Sequence, residues 1–259
     1  MASRATAAVC AGLMVAVAAG TAVSQTSAGD GEGWEFSVTP HVWTVSMKGT
    51  ADIGDLDVPL DIGISDISDA LDLGAFIHVE ARRGQWGGLL DVGYMSASLS
   101  DEPLDIVDPF GSMADIETSI VVLDALGSYR VILTDSDVFD FLAGVRWTRA
   151  EVDVVVTEGD PDDGGAGDDS WIDPLVGIRF SSRFSESWYS WVRMDVGGFG
   201  IGSDFTWGTS LGLGYEFNDT IAANLGYKHI GIDWDDGSEM YKGLTLVEHG
   251  LLFGVTCSF

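Results

Sequence analysis

The chain has 259 residues, with 12 lysines and arginines against 41 aspartates and glutamates, so its formal net charge is −29. This deficit of basic side chains excludes nucleic acid as a partner, because phosphate binding needs a basic surface. Hydrophobic residues make up 46% of the chain, which excludes disorder, and no long apolar run follows the N-terminal segment, which excludes a helical membrane span.

The N-terminal segment has the composition of a secretory signal peptide. Arg4 supplies the positive charge, residues 7–20 form the apolar run, and small residues precede Ser24. This arrangement predicts a removable leader over residues 1–24, with cleavage after Ala28 as the alternative. The exported part, residues 25–259, is predicted to be one domain, since its length suits a single large β architecture.

Beyond the leader, segments of alternating polarity are separated by connections of two kinds. We predict ten strands, at Trp34–Lys48, Leu73–Arg83, Gln85–Leu99, Met113–Val131, Val138–Val156, Ser170–Phe184, Ser187–Ile201, Asp204–Phe217, Thr220–Trp234 and Lys242–Phe259. Every second connection is only a few residues long, whereas most of the others are long. Short turns at one end and long loops at the other are typical of outer-membrane β-barrels with both termini on the periplasmic side. The predicted fold is therefore an all-β, closed antiparallel transmembrane barrel of ten strands, with eight as the alternative.

The long connections are strongly acidic and are predicted to be extracellular loops. They are Gly49–Asp72, Ser100–Ser112, Thr157–Asp169 and Asp235–Tyr241, and together they hold twenty acids and no lysine or arginine. The pair Gly202-Ser203 is the one short connection at this end. We interpret the acids as a solvated rim. The alternative is a Ca²⁺ site formed by Asp160, Asp162, Asp163, Asp168 and Asp169, although their spacing departs from the twelve-residue calcium loop.

Alternation within the strands predicts which side chains face lipid. In the eighth predicted strand, Phe205, Trp207, Leu211 and Tyr215 share one face, while glycines and polar residues share the other. Aromatic residues recur eight positions apart on the outward face, a rise of roughly 20 Å along a tilted strand, which matches the apolar band of an outer membrane. The predicted aromatic girdle comprises Trp34, Trp86, Tyr94, Phe139, Trp147, Trp188, Trp207, Tyr215 and Phe259.

The opposite parity places many charges inside the barrel. The predicted interior network comprises Glu35, Glu80, Arg82, Asp91, Asp124, Arg130, Asp140, Arg146, Asp173, Arg179, Arg183, Arg193, Asp195, Glu216, Lys228 and Glu248. Charges enclosed in a narrow space must pair, because an unpaired buried charge carries a large desolvation cost. We therefore predict a lumen plugged by charge pairs, and a narrow channel for small solutes or cations is the alternative.

The last strand ends in an alternating apolar series at Leu251, Phe253, Val255, Cys257 and Phe259. This ending resembles the C-terminal signature of bacterial outer-membrane proteins, which implies recognition by the barrel-assembly machinery. Cys257 is the only cysteine outside the leader, so no internal disulfide is possible. We expect it to be a free thiol at the lipid boundary.

Three further stretches carry a resemblance to known proteins. VTPHVW (Val38–Trp43), ISDISDALD (Ile64–Asp72) and EARRGQWGGLLDVGY (Glu80–Tyr94) resemble a family of uncharacterised Gram-negative barrel proteins, within the broader OmpW/OmpX-like class of small outer-membrane barrels. The resemblance implies a bacterial outer-membrane location and a barrel fold, and it supplies no specific activity. For such a barrel we expect lipid and lipopolysaccharide as neighbours and a monomeric state. OmpW-like barrels usually have eight strands, so the count of ten departs from them.

Catalysis is not predicted. A ten-stranded barrel is similar to the omptin proteases, which need paired aspartates and an Asp/His couple at the outer rim. Here His41 and His78 fall on inward positions, and His229 and His249 on outward ones. No serine elbow, phosphate loop or Cys/His metal cluster is present. We therefore expect no cofactor and no metal, and a structural or surface-interaction role, with an omptin-like or lipid-modifying enzyme as the remaining alternative.

Overall fold

A computed structural model describes residues 33–53, 56–62, 73–103, 113–158, 165–235 and 242–259. The described residues form twelve β-strands, at β1 Glu35–Thr44, β2 Ser46–Ile53, β3 Leu56–Ile62, β4 Leu73–Arg83, β5 Trp86–Pro103, β6 Met113–Leu133, β7 Asp137–Glu158, β8 Gly165–Arg183, β9 Trp188–Gly198, β10 Phe205–Glu216, β11 Ile221–Asp235 and β12 Lys242–Ser258. In these ranges no helix has the length and hydropathy needed to cross a membrane.

The strands form one closed antiparallel barrel. Each strand from β4 to β12 pairs with its sequence neighbour, and β1 pairs with both β4 and β12, which closes the ring. At the base, the amide of Phe36 donates to the carbonyl of Phe259 at 3.2 Å and the amide of Phe259 donates to that of Phe36 at 2.8 Å. Because β1 and β2 are successive parts of one strand interrupted at Val45, the ring has ten strands, which confirms the predicted number and removes the eight-strand alternative.

The predicted strand limits are close to the observed ones, and the prediction for β4 is identical. The predicted loop Gly49–Asp72 is wrong in part, because β2 continues to Ile53 and turns back into β3, which pairs with it from Met47 to Ile53. The acids and the proline of β3 give it a composition typical of loops, so the strand could not be recognised from the sequence. The first acidic segment therefore contains a hairpin that extends the barrel wall.

A band of apolar side chains surrounds the part of the barrel nearest the termini. It is bounded on that side by the predicted girdle residues Trp34, Trp86, Phe139, Trp188, Tyr215 and Phe259, and on the other by Tyr94, Trp147 and Trp207. These nine side chains lie on the outside of the barrel, all exposed or half-buried. Water would oppose such a continuous apolar belt, whereas lipid stabilises it, so this band is the membrane-spanning part of the barrel.

Beyond Tyr94, Trp147 and Trp207 lies a second part, which we call the distal section. Among the described residues, β4 reaches only to Leu73 at this end and the hairpin of β9 and β10 only to Gly198 and Phe205, so the described wall is lower at these two places. The remaining strands form two sheets of four, in the orders β3-β2-β12-β11 and β5-β6-β7-β8. The distal section therefore resembles two facing sheets rather than a round barrel.

The polarity of the wall reverses in the distal section. On β7, Val152 and Val154 point inward and are buried, while Glu151 and Asp153 point outward. The two sheets enclose one apolar core, formed by Trp43, Val45, Met47, Ala51, Leu60, Phe76, Met95, Ile116, Ile120, Val122, Ala150, Val152, Val154, Trp171, Ile230, Ile232, Leu244 and Leu246. The membrane part has a polar interior and an apolar exterior, and the distal section has the opposite arrangement, as expected of strands that leave lipid for water.

Candidate functional site: the charged barrel interior

A cluster around Asp140 lies nearest the termini. The Asp140 side chain is 0% exposed and accepts hydrogen bonds from Arg130 Nε at 2.9 Å and from Arg179 Nη2 at 2.8 Å. Arg179 also donates through Nη1 and Nη2 to the two oxygens of Glu80, at 2.7 and 2.8 Å. Arg82 bridges the same two acids, at 2.7 Å from Glu80 and 3.4 Å from Asp140. Three guanidinium groups thus surround two carboxylates.

A second cluster around Arg146 lies farther from the termini. Arg146 donates from Nε to Asp124 Oδ1 at 2.7 Å and from Nη2 to Asp124 Oδ2 at 2.9 Å, a bidentate pair buried on both sides. Its Nη2 also lies 3.3 Å from Asp195, and its Nη1 donates to Thr206 at 3.3 Å. All these side chains are buried, so the guanidinium is held from several directions.

Arg193 and His78 complete this second cluster. Arg193 donates from Nη1 to Asp91 at 2.7 Å and from Nη2 to Asp124 at 3.1 Å. The imidazole of His78 lies 2.7 Å from Asp91 through Nδ1 and 3.6 Å from Glu80 through Nε2. His78 therefore connects the two clusters, although sequence analysis placed it inside the barrel without assigning it a partner.

Strand register explains why these residues meet. Going from strand to strand, His78 pairs with Asp91, Asp91 with Asp124, and Asp124 with Arg146. A second inward row runs from Arg130 through Asp140 to Arg179 and on to Arg193. Adjacent rows on one face bring long arginine side chains within reach of acids in the next row.

Small residues in the wall provide the space for these side chains. At Gly208, a β-carbon would lie 2.8 Å from Asp195 Oδ1, so a larger residue would displace the carboxylate. At Gly93, a β-carbon would clash with the ring of Phe76, the residue opposite in the register. The inward glycines are therefore needed to fit the large charged and aromatic side chains into a narrow barrel.

The two clusters contain equal numbers of arginines and carboxylates. They contain five arginines and five carboxylates, namely Arg82, Arg130, Arg146, Arg179 and Arg193 with Glu80, Asp91, Asp124, Asp140 and Asp195. We call these ten residues the interior network. Matched charges with many hydrogen bonds are the arrangement in which buried ions are tolerated.

Several residues that the sequence predicts as interior charges lie outside the ten-residue interior network. Arg183 and Glu216 form a separate bidentate pair near the termini, partly open to solvent. Glu35 is exposed and makes no ion pair with the described residues. Asp173 is buried, but it accepts hydrogen bonds from Ser203 and Trp171 and pairs with no base among the described residues. Strand parity predicts whether a side chain points into or out of the barrel, but it does not give the position of that side chain along the barrel axis. This position decides which partners the side chain can reach.

Lys228 and Glu248 lie at the boundary with the apolar core and also differ from the prediction. The ammonium of Lys228 lies 4.9 Å from the ring centroid of Trp43 and 4.5 Å from that of Phe76, so its contacts are cation–π interactions. Glu248 is 1% exposed, and neither carboxylate oxygen has a hydrogen-bond partner among the described residues. Ion pairs therefore connect the charges within the two clusters, and this pairing stops at the boundary with the apolar core.

The outward histidines join the aromatic girdle. His229 and His249 are opposite each other on β11 and β12, with ring centroids 5.6 Å apart. His229 contacts the ring of Trp207 edge-on at 4.7 Å, and His249 Nδ1 lies 2.8 Å from the hydroxyl of Tyr227. This group extends the girdle along the distal edge of the membrane band, and its described contacts include no acid or serine of catalytic type.

The predicted calcium ligands are only partly within the described ranges. Asp160, Asp162 and Asp163 lie outside them. Asp168 lies on β8 and accepts two hydrogen bonds from Arg149, at 3.0 and 2.8 Å. Among the residues that the structure describes, no three His, Cys, Asp or Glu side chains converge to hold a metal ion.

Comparison with known proteins identifies the fold. The sequence matches no protein-family model, and no curated protein is detectably similar in sequence. The outer-membrane protease OmpT from Escherichia coli has a similar structure, with a TM-score of 0.56 and 12% identity over 92% of this chain and 99% of that one. The translocator domain of the autotransporter NalP from Neisseria meningitidis aligns with a TM-score of 0.41 and 14% identity, over 99% of this chain and 98% of that one. A major outer-membrane protein from Thermus thermophilus aligns with a TM-score of 0.44 and 12% identity, over 88% of this chain and 100% of that one.

The similarity to the OmpT structure, together with the closed ring and the apolar band, establishes the fold. At 12% identity this similarity shows the fold alone and assigns no activity to this chain. The chain has the fold of the bacterial outer-membrane β-barrels, in the form of a closed ring of ten strands.

Proposed function

We propose that this protein is a closed, non-conducting barrel that holds a folded acidic section at the bacterial surface. The observation that carries the proposal is the closure of the interior at two successive levels. The interior network fills the membrane part, and the apolar core fills the distal section. An ion crossing the barrel would need a continuous water path through both levels.

The burial of the interior network supports this closure. Asp140, Asp124 and Arg146 are almost completely excluded from solvent, although all three lie on the inner wall. An open channel would leave such charges in contact with pore water. Four leucines, Leu89, Leu126, Leu142 and Leu175, form an additional buried apolar cluster among the inward residues of β5 to β8.

The outer face of the distal section supports a surface role. A concave groove of about 380 Å³ lies on the wall of β5, β6 and β7, directly beyond the girdle residue Tyr94. Serines and acids line it, including Glu117, Glu151 and Asp153. Such a surface suits a polar or cationic partner and would disfavour an acidic one.

The proposal assigns no catalytic activity to the barrel. The pair His78 and Asp91 is an Asp/His couple of the kind that hydrolases use, but it lies in the membrane part beneath the apolar core. Asp91 is also bound by Arg193, and no serine, cysteine or threonine is hydrogen-bonded to His78 among the described contacts. A substrate approaching from the distal side would have to displace the apolar core to reach it.

The proposed neighbours follow from the surface of the membrane part. The apolar band would contact outer-membrane lipid, and lipopolysaccharide would surround the distal edge. Phe259 ends the strand that closes the barrel against β1, which supports recognition of this strand by the barrel-assembly machinery. A monomer suffices, since the ring is complete within one chain.

Reconstitution in planar bilayers tests the proposal. We expect the refolded barrel to insert without producing stable conductance, while an open porin prepared in parallel gives step-like currents. Insertion is verified by the heat-dependent shift in electrophoretic mobility of a folded barrel. Steady open channels formed by the wild-type protein would overturn the proposal and favour the narrow-channel alternative.

A further inference from the structure

The turn between β9 and β10 differs from the other distal connections. It spans residues 199–204 and contains one acid, Asp204, whereas the neighbouring connections 159–164 and 236–241 contain three and two acids. Phe199 and Ile201 lie in it, with 54% and 76% of their surfaces exposed. Two large apolar side chains are thus presented on the otherwise acidic end of the molecule.

The backbone of this turn is held in an unusual conformation. Gly198, Phe199 and Gly200 have φ angles of 84°, 54° and 71°. A bulky residue such as phenylalanine rarely adopts positive φ, because its β-carbon crowds the backbone, so the conformation at Phe199 is strained. Hydrogen bonds between Gly200 and Ser203 and between Ile201 and Gly198, each at 3.1 Å, close the turn.

A buried side chain fixes the base of the turn to the neighbouring strand. Asp173 on β8 accepts hydrogen bonds from the amide of Ser203 at 2.6 Å and from its hydroxyl at 2.9 Å. The other oxygen of Asp173 accepts from Trp171 Nε1 at 3.1 Å. Ser203 and Asp173 are both buried. The base is therefore rigid, and the apolar tip is presented in a defined direction.

The turn lies at the distal edge of the membrane band. On β8, exposed Ile172 is opposite the girdle residue Trp147 in the register, and Gly202 of the turn packs against the Ile172 backbone. Immediately below the turn, Val196 and Phe205 continue the outward apolar surface of β9 and β10. The exposed apolar tip is therefore continuous with the lipid-facing surface.

We propose that the β9–β10 turn is a lipid anchor, in which Phe199 and Ile201 insert into the outer leaflet. Lipid is the occupant that the observations favour, because the patch continues the apolar band and Asp204 is the one charged residue of its turn. The strained backbone at Phe199 directs the aromatic ring away from the barrel, and insertion of this ring among acyl chains would explain why the strain is kept. The anchor sets how deeply the barrel sits in the membrane on the side of β9 and β10, where the described wall is lower than at β7 and β8.

Depth-dependent fluorescence quenching tests this proposal. Ile201→Cys, in a Cys257→Ser background, is labelled with the environment-sensitive fluorophore NBD and reconstituted into phosphatidylcholine vesicles with or without brominated acyl chains. We expect blue-shifted emission and a loss of intensity in brominated lipid, comparable to that of a probe at Leu211, which lies in the lipid-facing band. A probe at Val155, also well exposed but in the distal part of β7, is the matched control and should not be quenched.

Two results would overturn the proposal. The first is a probe at position 201 that behaves like the probe at position 155, with water-like emission and no quenching. The second is blue-shifted emission that bromine does not quench and that increases with protein density, which would indicate a second copy of the chain as the occupant. The position is exposed, so the label does not disturb packing, and heat-dependent mobility confirms folding of each variant.

Discussion

Arg146 on β7 and Asp124 on β6 are directly opposite each other in the register and share two hydrogen bonds inside the barrel. Neither side chain is open to bulk water, because both are buried. The pair therefore links two neighbouring strands at the level where the barrel crosses the membrane. Arg146 also contacts Asp195 on β9, so it connects strands that the backbone ladder alone does not connect.

Replacing Arg146 by alanine should strongly destabilise the barrel. The change leaves Asp124 with only Arg193 and Asp195 without its contact to Arg146, and breaking a buried pair costs about 3 to 5 kcal/mol. We expect a clear fall in the free energy of unfolding in urea, measured by tryptophan fluorescence in detergent or vesicles.

The pair Arg183 and Glu216 offers a matched control for this prediction. It is also bidentate but lies near the termini and is partly open to solvent. Replacing Arg183 by alanine should cost about 1 kcal/mol or less, because exposed pairs contribute little. Equal losses for the two variants would contradict the view that burial makes the interior network important.

The distal core should contribute to stability independently of the membrane part. Leu246 on β12 is almost fully buried in that core, and truncating it to alanine should cost about 2 to 5 kcal/mol. Val155→Ala, at an exposed outward position of β7, should be nearly neutral. The measurement is the unfolding free energy in vesicles. An unaffected Leu246→Ala variant would indicate that the distal sheets do not pack as one core.

The membrane part of the barrel can be predicted from the sequence for a physical reason. Lipid tolerates only apolar side chains at every second position, so strand limits, number and facing could be derived from parity, as in Phe205 to Tyr215 on β10. The partners of the interior charges could not be derived this way. Arg193 and Asp91 are 102 residues apart, and their contact depends on how far each strand is shifted along its neighbour.

The distal core is not among the predicted features, although the sequence contains a signal for it. On β7 the outward series ends with Trp147, and beyond it the apolar residues Val152 and Val154 occupy the other parity. The alternation continues as far as Val154, but the apolar side moves from outside to inside. Such a change of parity within one strand marks the point where a barrel leaves lipid, and β3 was overlooked because it lies beyond that point.

Thiol labelling should establish the orientation of the barrel. In a Cys257→Ser background, Thr157→Cys at the distal end should react with a membrane-impermeant maleimide added to intact cells. Ser185→Cys, in the turn between β8 and β9, should react only after the outer membrane is permeabilised. The reverse pattern would show that the distal section faces the periplasm and would remove the proposed surface role.

The native thiol should be protected in both conditions. Cys257 is a free cysteine, half-buried on β12 between Val38 and Ile221 at the lipid boundary. We expect slow reaction with the impermeant reagent even after permeabilisation and faster reaction once the barrel is denatured. Rapid labelling of the folded protein would place this side chain in water and contradict the lipid-facing assignment of the last strand.

The acidic distal section should respond to calcium as it does to ordinary salt. Asp168 already accepts hydrogen bonds from Nε and Nη2 of Arg149, so one of the predicted calcium ligands is paired with an arginine. Repulsion among the remaining acids is screened over roughly 8 Å at about 0.15 M salt, which gives a gradual, unspecific effect. We therefore expect millimolar Ca²⁺ to raise the melting temperature no more than sodium chloride of equal ionic strength.

A different result would establish a specific cation site. This result is a saturable increase in melting temperature at micromolar Ca²⁺ that disappears in Asp168→Asn and persists in the control Asp153→Asn. Only convergent carboxylates bind calcium so tightly.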